Sequence, residues 1–252
     1  MQNLFVLDLT DKRIQIIDSI LKEKGEMTAD IVTDDISDKT YRRTYVLSPR
    51  FQELYPAFDS FAPNSKVFYF ILNSEALETL ARKNCKAIKI TDNERFNCIN
   101  SRLTAEGALL YALQKSDVSL KERKVLIIGF GHLGKALLQT FQSLCPHLTV
   151  AARNELARCE VRLLKAEACS ILSLHDHIDK YDLILNTVPA KIFDRPVKLN
   201  ENVTILELAS KVYPFEYETL NVDYEILKSL PSKAFPVSAA HALLDVIVPD
   251  LV

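Results

Sequence analysis

The sequence predicts an α/β protein, a doubly wound parallel sheet joined to a second, smaller N-terminal α/β domain. Three observations carry this. From residue 120 onward, short β-branched apolar runs alternate with helical segments, the pattern of repeated βαβ units. The connections between those runs are short, which keeps successive strands in one parallel sheet. Glycine is scarce, five in 252 residues, yet three stand together as Gly129, Gly131 and Gly134.

The elements follow in order. LFVLDL (4–9) reads as a strand, and residues 11–24 as a helix with Ile14, Ile17, Ile20 and Leu21 on one face. VFYFIL (67–72) and KAIKI (86–90) read as strands around a helix at 74–83. Thr104 is placed to cap a helix through Gln114, within a linking segment 104–117. KVLII (124–128) suits a strand buried on both faces. The helix after it carries Leu137, Phe141 and Leu144 at i, i+4 and i+7, and Pro146 stops it. LTVAA (148–152) is a second strand, and Asn154 caps a helix through Lys165. ACSIL (168–172), DLILNT (182–187), VTILELA (203–209) and YEILK (224–228) complete the strands, and Pro236 opens a last helix, 236–252. Residues 1–101 are therefore assigned to the smaller domain, joined by the last helix, and 102–235 to the larger one.

Composition narrows the function. Apolar residues make up 48% of the chain and the formal charge is −2, so a core can form and no basic face speaks for nucleic acid. Five cysteines without a C-x-x-C pair fit a reducing compartment and oppose a disulfide framework or a zinc site. His175-Asp176-His177 lacks further ligands nearby, so no metal is expected. The N-terminal acids do not suit a signal peptide, and no apolar run is long enough to span a membrane. The expectation is a cytoplasmic protein.

GFGHLG (129–134) follows a strand and opens a helix, with another strand at the right distance. In that setting Gly129 makes the tight turn, Gly131 lets backbone approach a pyrophosphate, and Gly134 brings helix and strand close. Phe130, His132 and Leu133 complete the loop, and the helix N-terminus offers amides to phosphate. This is the Rossmann arrangement for a nicotinamide dinucleotide. The second strand ends in Ala151-Ala152-Arg153, without the carboxylate that would hold a ribose 2′-hydroxyl. Arg153 can grip a 2′-phosphate and Ala152 leaves room for it, so NADP is expected over NAD. Asn186, Thr187, Val188 and Pro189, at the end of the fourth strand, are expected to line the nicotinamide side.

Beyond the glycine motif, TAEGALLYAL (104–113), AAR (151–153), NTVPA (186–190), LELASK (206–211) and LPSKAFPVSAAHAL (230–243) resemble, in order and spacing, the A-subunit family of dipicolinate synthases. The resemblance runs from about Asn100 to the end, and Asp11-Lys12-Arg13 extends it to a D-x-R segment near the N-terminus. It implies a two-domain Rossmann oxidoreductase that converts dihydrodipicolinate to dipicolinate during sporulation, with a flavoprotein-like partner subunit. A homo-oligomer is compatible with it. Departures concentrate on the substrate side. Asp8-Leu9-Thr10 replaces a glycine-rich turn, Leu103 a proline, and Val212-Tyr213-Pro214 and Ser229-Leu230-Pro231-Ser232 two glycine-containing segments. The N-terminal half is also shorter.

Oxidising a dihydropyridine removes a hydride and a proton, and the product's aromaticity lowers the barrier. The substrate's two carboxylates call for cations and hydroxyl donors. Lys211, Ser210, Thr104 and Arg13 are the candidates, with Ser210 and Thr104 best supported by the resemblance. Two alternatives stay open. One is another two-domain dehydrogenase, of the shikimate type or of the 2-hydroxy-acid type, for which Glu207 and His241 offer a His–Glu pair. The other is a non-catalytic nucleotide-binding protein.

Overall fold

The computed structural model describes residues 2–34, 36, 41–54, 58–193, 196–209, 213–215 and 222–249. The chain divides into two units, one of Met1–Asn100 with Ser232–Val252, the other of Ser101–Pro231.

In the first unit, β1 (Asn3–Leu7), β2 (Met27–Asp30), β3 (Arg42–Val46), β4 (Lys66–Tyr69) and β5 (Lys86–Lys89) form a parallel sheet in the order β2-β1-β3-β4-β5. Helix α1 (Lys12–Glu23) starts where Asp11 accepts the Arg13 amide at 2.9 Å, and buries Ile14, Ile17 and Leu21. Those three side chains share a core with Ala240, Leu243, Leu244 and Ile247 of the last helix, α8 (Pro236–Ile247). Between them in sequence lie α2 (Phe51–Leu54), α3 (Ser74–Arg82), α4 (Glu94–Gln114), α5 (His132–Phe141), α6 (Glu155–Leu163) and α7 (Leu230–Ala234). The other face of this sheet packs Tyr45, Leu47, Phe51, Phe58 and Phe61, with the Tyr45 and Phe61 rings stacked at 4.2 Å.

In the second unit, β6 (Val125–Ile128), β7 (Leu148–Ala152), β8 (Glu167–Ser170), β9 (Leu183–Asn186), β10 (Thr204–Glu207) and β11 (Asp223–Ile226) pair in parallel in the order β11-β10-β9-β6-β7-β8. This is the doubly wound Rossmann order. The central strands are apolar because both faces are covered. Val125 and Ile127 join Leu137, Phe141 and Val150 on one side, while Leu126 and Ile128 join Ile171, Ile184 and Ile205 on the other.

Three local expectations are corrected. Thr104 does not open a helix, because α4 already begins at Glu94, where Asn93 Oδ1 accepts the Phe96 amide at 2.9 Å. The third Rossmann strand stops at Ser170, whose hydroxyl accepts from the Leu172 amide at 3.2 Å and starts a 3-10 turn at Ile171. Helix α6 stops at Leu163, and Lys165 turns into the left-handed region at φ 62°.

Candidate functional site

Strand order reverses in the second unit beside β6, whose neighbours are β7 and β9. Ligands of such sheets sit beyond the carboxyl ends of the strands at that reversal. The sequence puts Gly129–Gly134 after β6 and Thr187–Pro189 after β9 there, with Asn186 the last residue of β9.

Gly129 has φ +102°, and a Cβ on it would stand 2.3 Å from Thr187 Oγ1 and 2.8 Å from Val188 Cγ2. Thr187 is pinned in turn, its amide and hydroxyl both donating to Ile128 O at 2.9 and 2.8 Å. A Cβ on Gly134 would meet Gly129 O at 2.2 Å. Packing therefore requires glycine at 129 and 134. Gly131 is different: its φ of −84° suits any residue, and a Cβ there would meet nothing within 4 Å. The chain leaves that space open at the N-cap of α5, where glycine supplies no side-chain cap. His132 is exposed beside it, Leu133 is half-buried, and the half-buried Phe130 ring lies 5.2 Å from Lys135 Nζ.

At the end of β7, Ala152 is buried and Arg153 exposed. Arg158 Nη1 donates to Ala152 O at 2.9 Å and Arg153 O at 2.8 Å, fixing this strand end. The nearby acid, Glu155, accepts from Arg162 at 2.8 Å and from Arg158 Nε at 2.9 Å. These bonds, Arg162's foremost, hold its carboxyl at about 2. The Arg153 side chain has no hydrogen bond or ion pair among the described residues.

Asn186 is wholly buried, so it does not line the crevice as a free amide. Its Nδ2 donates to both Glu207 oxygens at 2.9 Å and to Val188 O at 3.1 Å, and its Oδ1 accepts the Val188 amide at 3.1 Å. Glu207 is equally buried and accepts the Ala209 amide at 2.7 Å. Asn186 thus shapes the turn that presents half-buried Thr187 and Val188 and exposed Pro189. The Glu207 carboxylate is the partner that sequence reasoning missed for this turn. Its signal was an acid inside an apolar strand, which needs a donor when buried.

Two of the candidates for substrate carboxylates are described. Arg13 is 4% exposed and bound through both Nε and Nη2 to Asp11, at 3.0 and 2.6 Å, with its guanidinium carbon 5.0 Å from the Phe70 ring centroid. Its charge is matched by Asp11. Thr104 is 8% exposed within α4 of the second unit. Ser210 and Lys211 lie outside the described residues. In the first unit, buried Asp8 organises the turn where a glycine was missing, accepting the Thr10 amide at 3.2 Å, the Thr10 hydroxyl at 2.6 Å and the Ser48 amide at 3.0 Å. Glu207 belongs to the second unit and the exposed His241 to the first. Among the described residues no group of three His, Cys, Asp or Glu side chains is placed to hold a metal, and no helix is long and apolar enough to cross a membrane.

No protein-family model matches the chain. Over 186 residues it is 25% identical to the A subunit of dipicolinate synthase of Bacillus subtilis (strain 168), covering 72% of this chain and 63% of that protein. The crystal structure of the dipicolinate synthase A chain from Bacillus subtilis superposes with a TM-score of 0.80 at 20% identity, covering 97% of this chain and 93% of that one. This chain resembles the dipicolinate synthase A subunit in both sequence and fold. The A-subunit structure from Bacillus halodurans superposes as well, with a TM-score of 0.81 at 17% identity over 99% of this chain and 97% of that one. In sequence alignment the chain spans 63% of the length of the Bacillus subtilis relative, so the match is stronger in fold than in aligned residues.

Proposed function

We propose that the chain is a nicotinamide-dinucleotide oxidoreductase of the dipicolinate-synthase type, oxidising dihydrodipicolinate to dipicolinate. The second unit holds the dinucleotide. The observation that carries this reading is Gly131, a glycine demanded by neither backbone nor packing, beside open space at the start of α5. Close approach of a diphosphate accounts for it. The residues present fit the group: Gly129–Gly134 cradle the diphosphate, and Arg153 with buried Ala152 suits an adenosine 2′-phosphate, which favours NADP.

When bound, the dinucleotide supplies the hydride acceptor. The chain's own residues position it. Thr187, anchored to Ile128 O, and Val188, fixed by Asn186, form the wall beside the glycine turn. Lys211, Ser210 and Thr104 are assigned to the substrate carboxylates. Arg13, in the first unit, is a separate candidate for a carboxylate, its guanidinium oriented by Asp11. A flavoprotein-like second protein is the proposed partner.

Thermal shift with NADP, NAD and dipicolinate tests the binding, and turnover of dihydrodipicolinate with and without the flavoprotein-like partner tests the chemistry. Stabilisation by NADP and by dipicolinate is expected. The burial of Arg13 against Asp11 favours one competing reading, a nucleotide-binding protein that no longer turns over substrate. NADP binding without response to dipicolinate, and without turnover, would select it.

A further inference from the structure

The first unit holds a cavity of about 980 Å³ at the end of its sheet opposite the one where Asp8 and Ser48 lie. It opens at the amino-terminal ends of β1, β3 and β4, where Asn3 is in register with Arg42 and Thr44 with Lys66. A five-residue strand is roughly 17 Å long, so the two ends of this sheet are separate places. Four cations line the cavity, Arg42, Arg43, Lys66 and Lys83, against the single carboxylate of Asp59 among the described residues.

The four cations differ in their commitments. Buried Arg43 donates to Ile36 O, and Lys83 Nζ to the backbone oxygen of Asp59 at 2.7 Å. The side chains of Arg42 and Lys66 are exposed and make no hydrogen bond or ion pair among the described residues. Like charges lining one cavity, with a single carboxylate beside them among the described residues, repel, so the arrangement costs stability unless an anion neutralises it. A bare inorganic ion would leave most of the volume empty, because cavities of about 300–1,000 Å³ are the size of sites for whole organic ligands. Half-buried Tyr41, an aromatic residue, also lines the cavity.

We propose that this cavity is a second ligand site, taking a small organic polyanion of the nucleoside-phosphate class. Arg42 and Lys66 contact the phosphates and Tyr41 packs on the organic part. The site is independent of the glycine turn in the other unit.

The test is calorimetric titration of the full chain with ATP as probe, in the wild type, in Gly131→Leu and in Arg42→Ser/Lys66→Ser. The first substitution fills the open space at the glycine turn, so a response that survives it does not come from that turn. The double variant removes two exposed side chains that have no hydrogen-bond or ion-pair partner among the described residues, and an unchanged thermal midpoint shows that it folds. Expected is one ATP per chain in wild type and in Gly131→Leu, and an affinity weaker by about tenfold or more in the double variant, the loss of at least one charge-assisted contact. Equal affinity in wild type and double variant would overturn the proposal. So would loss of ATP binding in Gly131→Leu, or citrate binding more tightly than ATP. Failure of NADP to bind in a separate titration would count against the proposed function and leave this site standing.

Discussion

Asn186 and Glu207 face each other across β9 and β10, with the amide nitrogen of one 2.9 Å from each carboxylate oxygen of the other and neither exposed. The pair links two strand ends and, through Val188, sets the wall beside Gly129. Asn186→Leu keeps the volume and removes the donor, leaving the carboxylate without that contact. A loss of about 2–4 kcal/mol in denaturant unfolding is expected. An Asn186→Leu chain as stable as the wild type would show that the pair does not hold the strand ends.

The three glycines of the turn divide by mechanism, and substitution by alanine should separate them. Gly134→Ala drives a Cβ into Gly129 O, 2.2 Å away, and Gly129→Ala adds a strained φ of +102° to a clash with Thr187. Each is expected to cost about 2–4 kcal/mol. Gly131→Ala meets nothing within 4 Å, so its stability should stay within about 0.5 kcal/mol of wild type. Its NADP affinity should fall tenfold or more. Parallel melts and dinucleotide titrations of the three variants read both quantities.

How far the sequence speaks depends on where the determinants lie. The second unit is legible because its central strands are buried on both faces and therefore apolar, as in Val125–Ile128 and Leu183–Asn186. The first unit hides β2 and β3. Met27–Asp30 mixes polar and apolar residues at a half-buried sheet edge, and Arg42–Val46 opens on two arginines that belong to the cavity rather than to the core. At the site, chain spacing reveals a glycine turn but not which glycines are steric. It shows Arg13 as a cation, while its neutralisation by Asp11, two residues away, is decided by side-chain geometry. The Asn186–Glu207 pair joins residues twenty-one apart in the chain, and only strand order brings them together.

On the proposed reading, Arg153 selects the dinucleotide. It is exposed at the end of β7, and the acid that would compete for it, Glu155, is occupied by Arg158 and Arg162. Arg153→Ala is expected to weaken NADP about tenfold or more and to leave NAD within about twofold, because only the 2′-phosphate meets the guanidinium. Equal losses for both dinucleotides in fluorescence titration would remove Arg153 from the specificity argument.

The same acid sets a pH signature. Glu155 has its carboxyl held at about 2, against an ordinary 4.5, by hydrogen bonds from Arg162 and then Arg158. A folded-state pKa below the unfolded one means that the unfolded chain binds the proton first as pH falls. The contribution is therefore complete above about 4.5 and is lost progressively down to about 2. The carboxylate is exposed, so solvent and salt screen it and the effect on global stability is small. Its local effect is larger, because Arg158 also ties down the carbonyls of Ala152 and Arg153. Unfolding midpoints of wild type and Glu155→Gln, followed from pH 6 to pH 2, should converge as the pH falls. Added salt should narrow the gap at pH 6. A gap that stays constant across the range would mean that the two arginines do not lower this carboxyl's proton affinity in the folded chain.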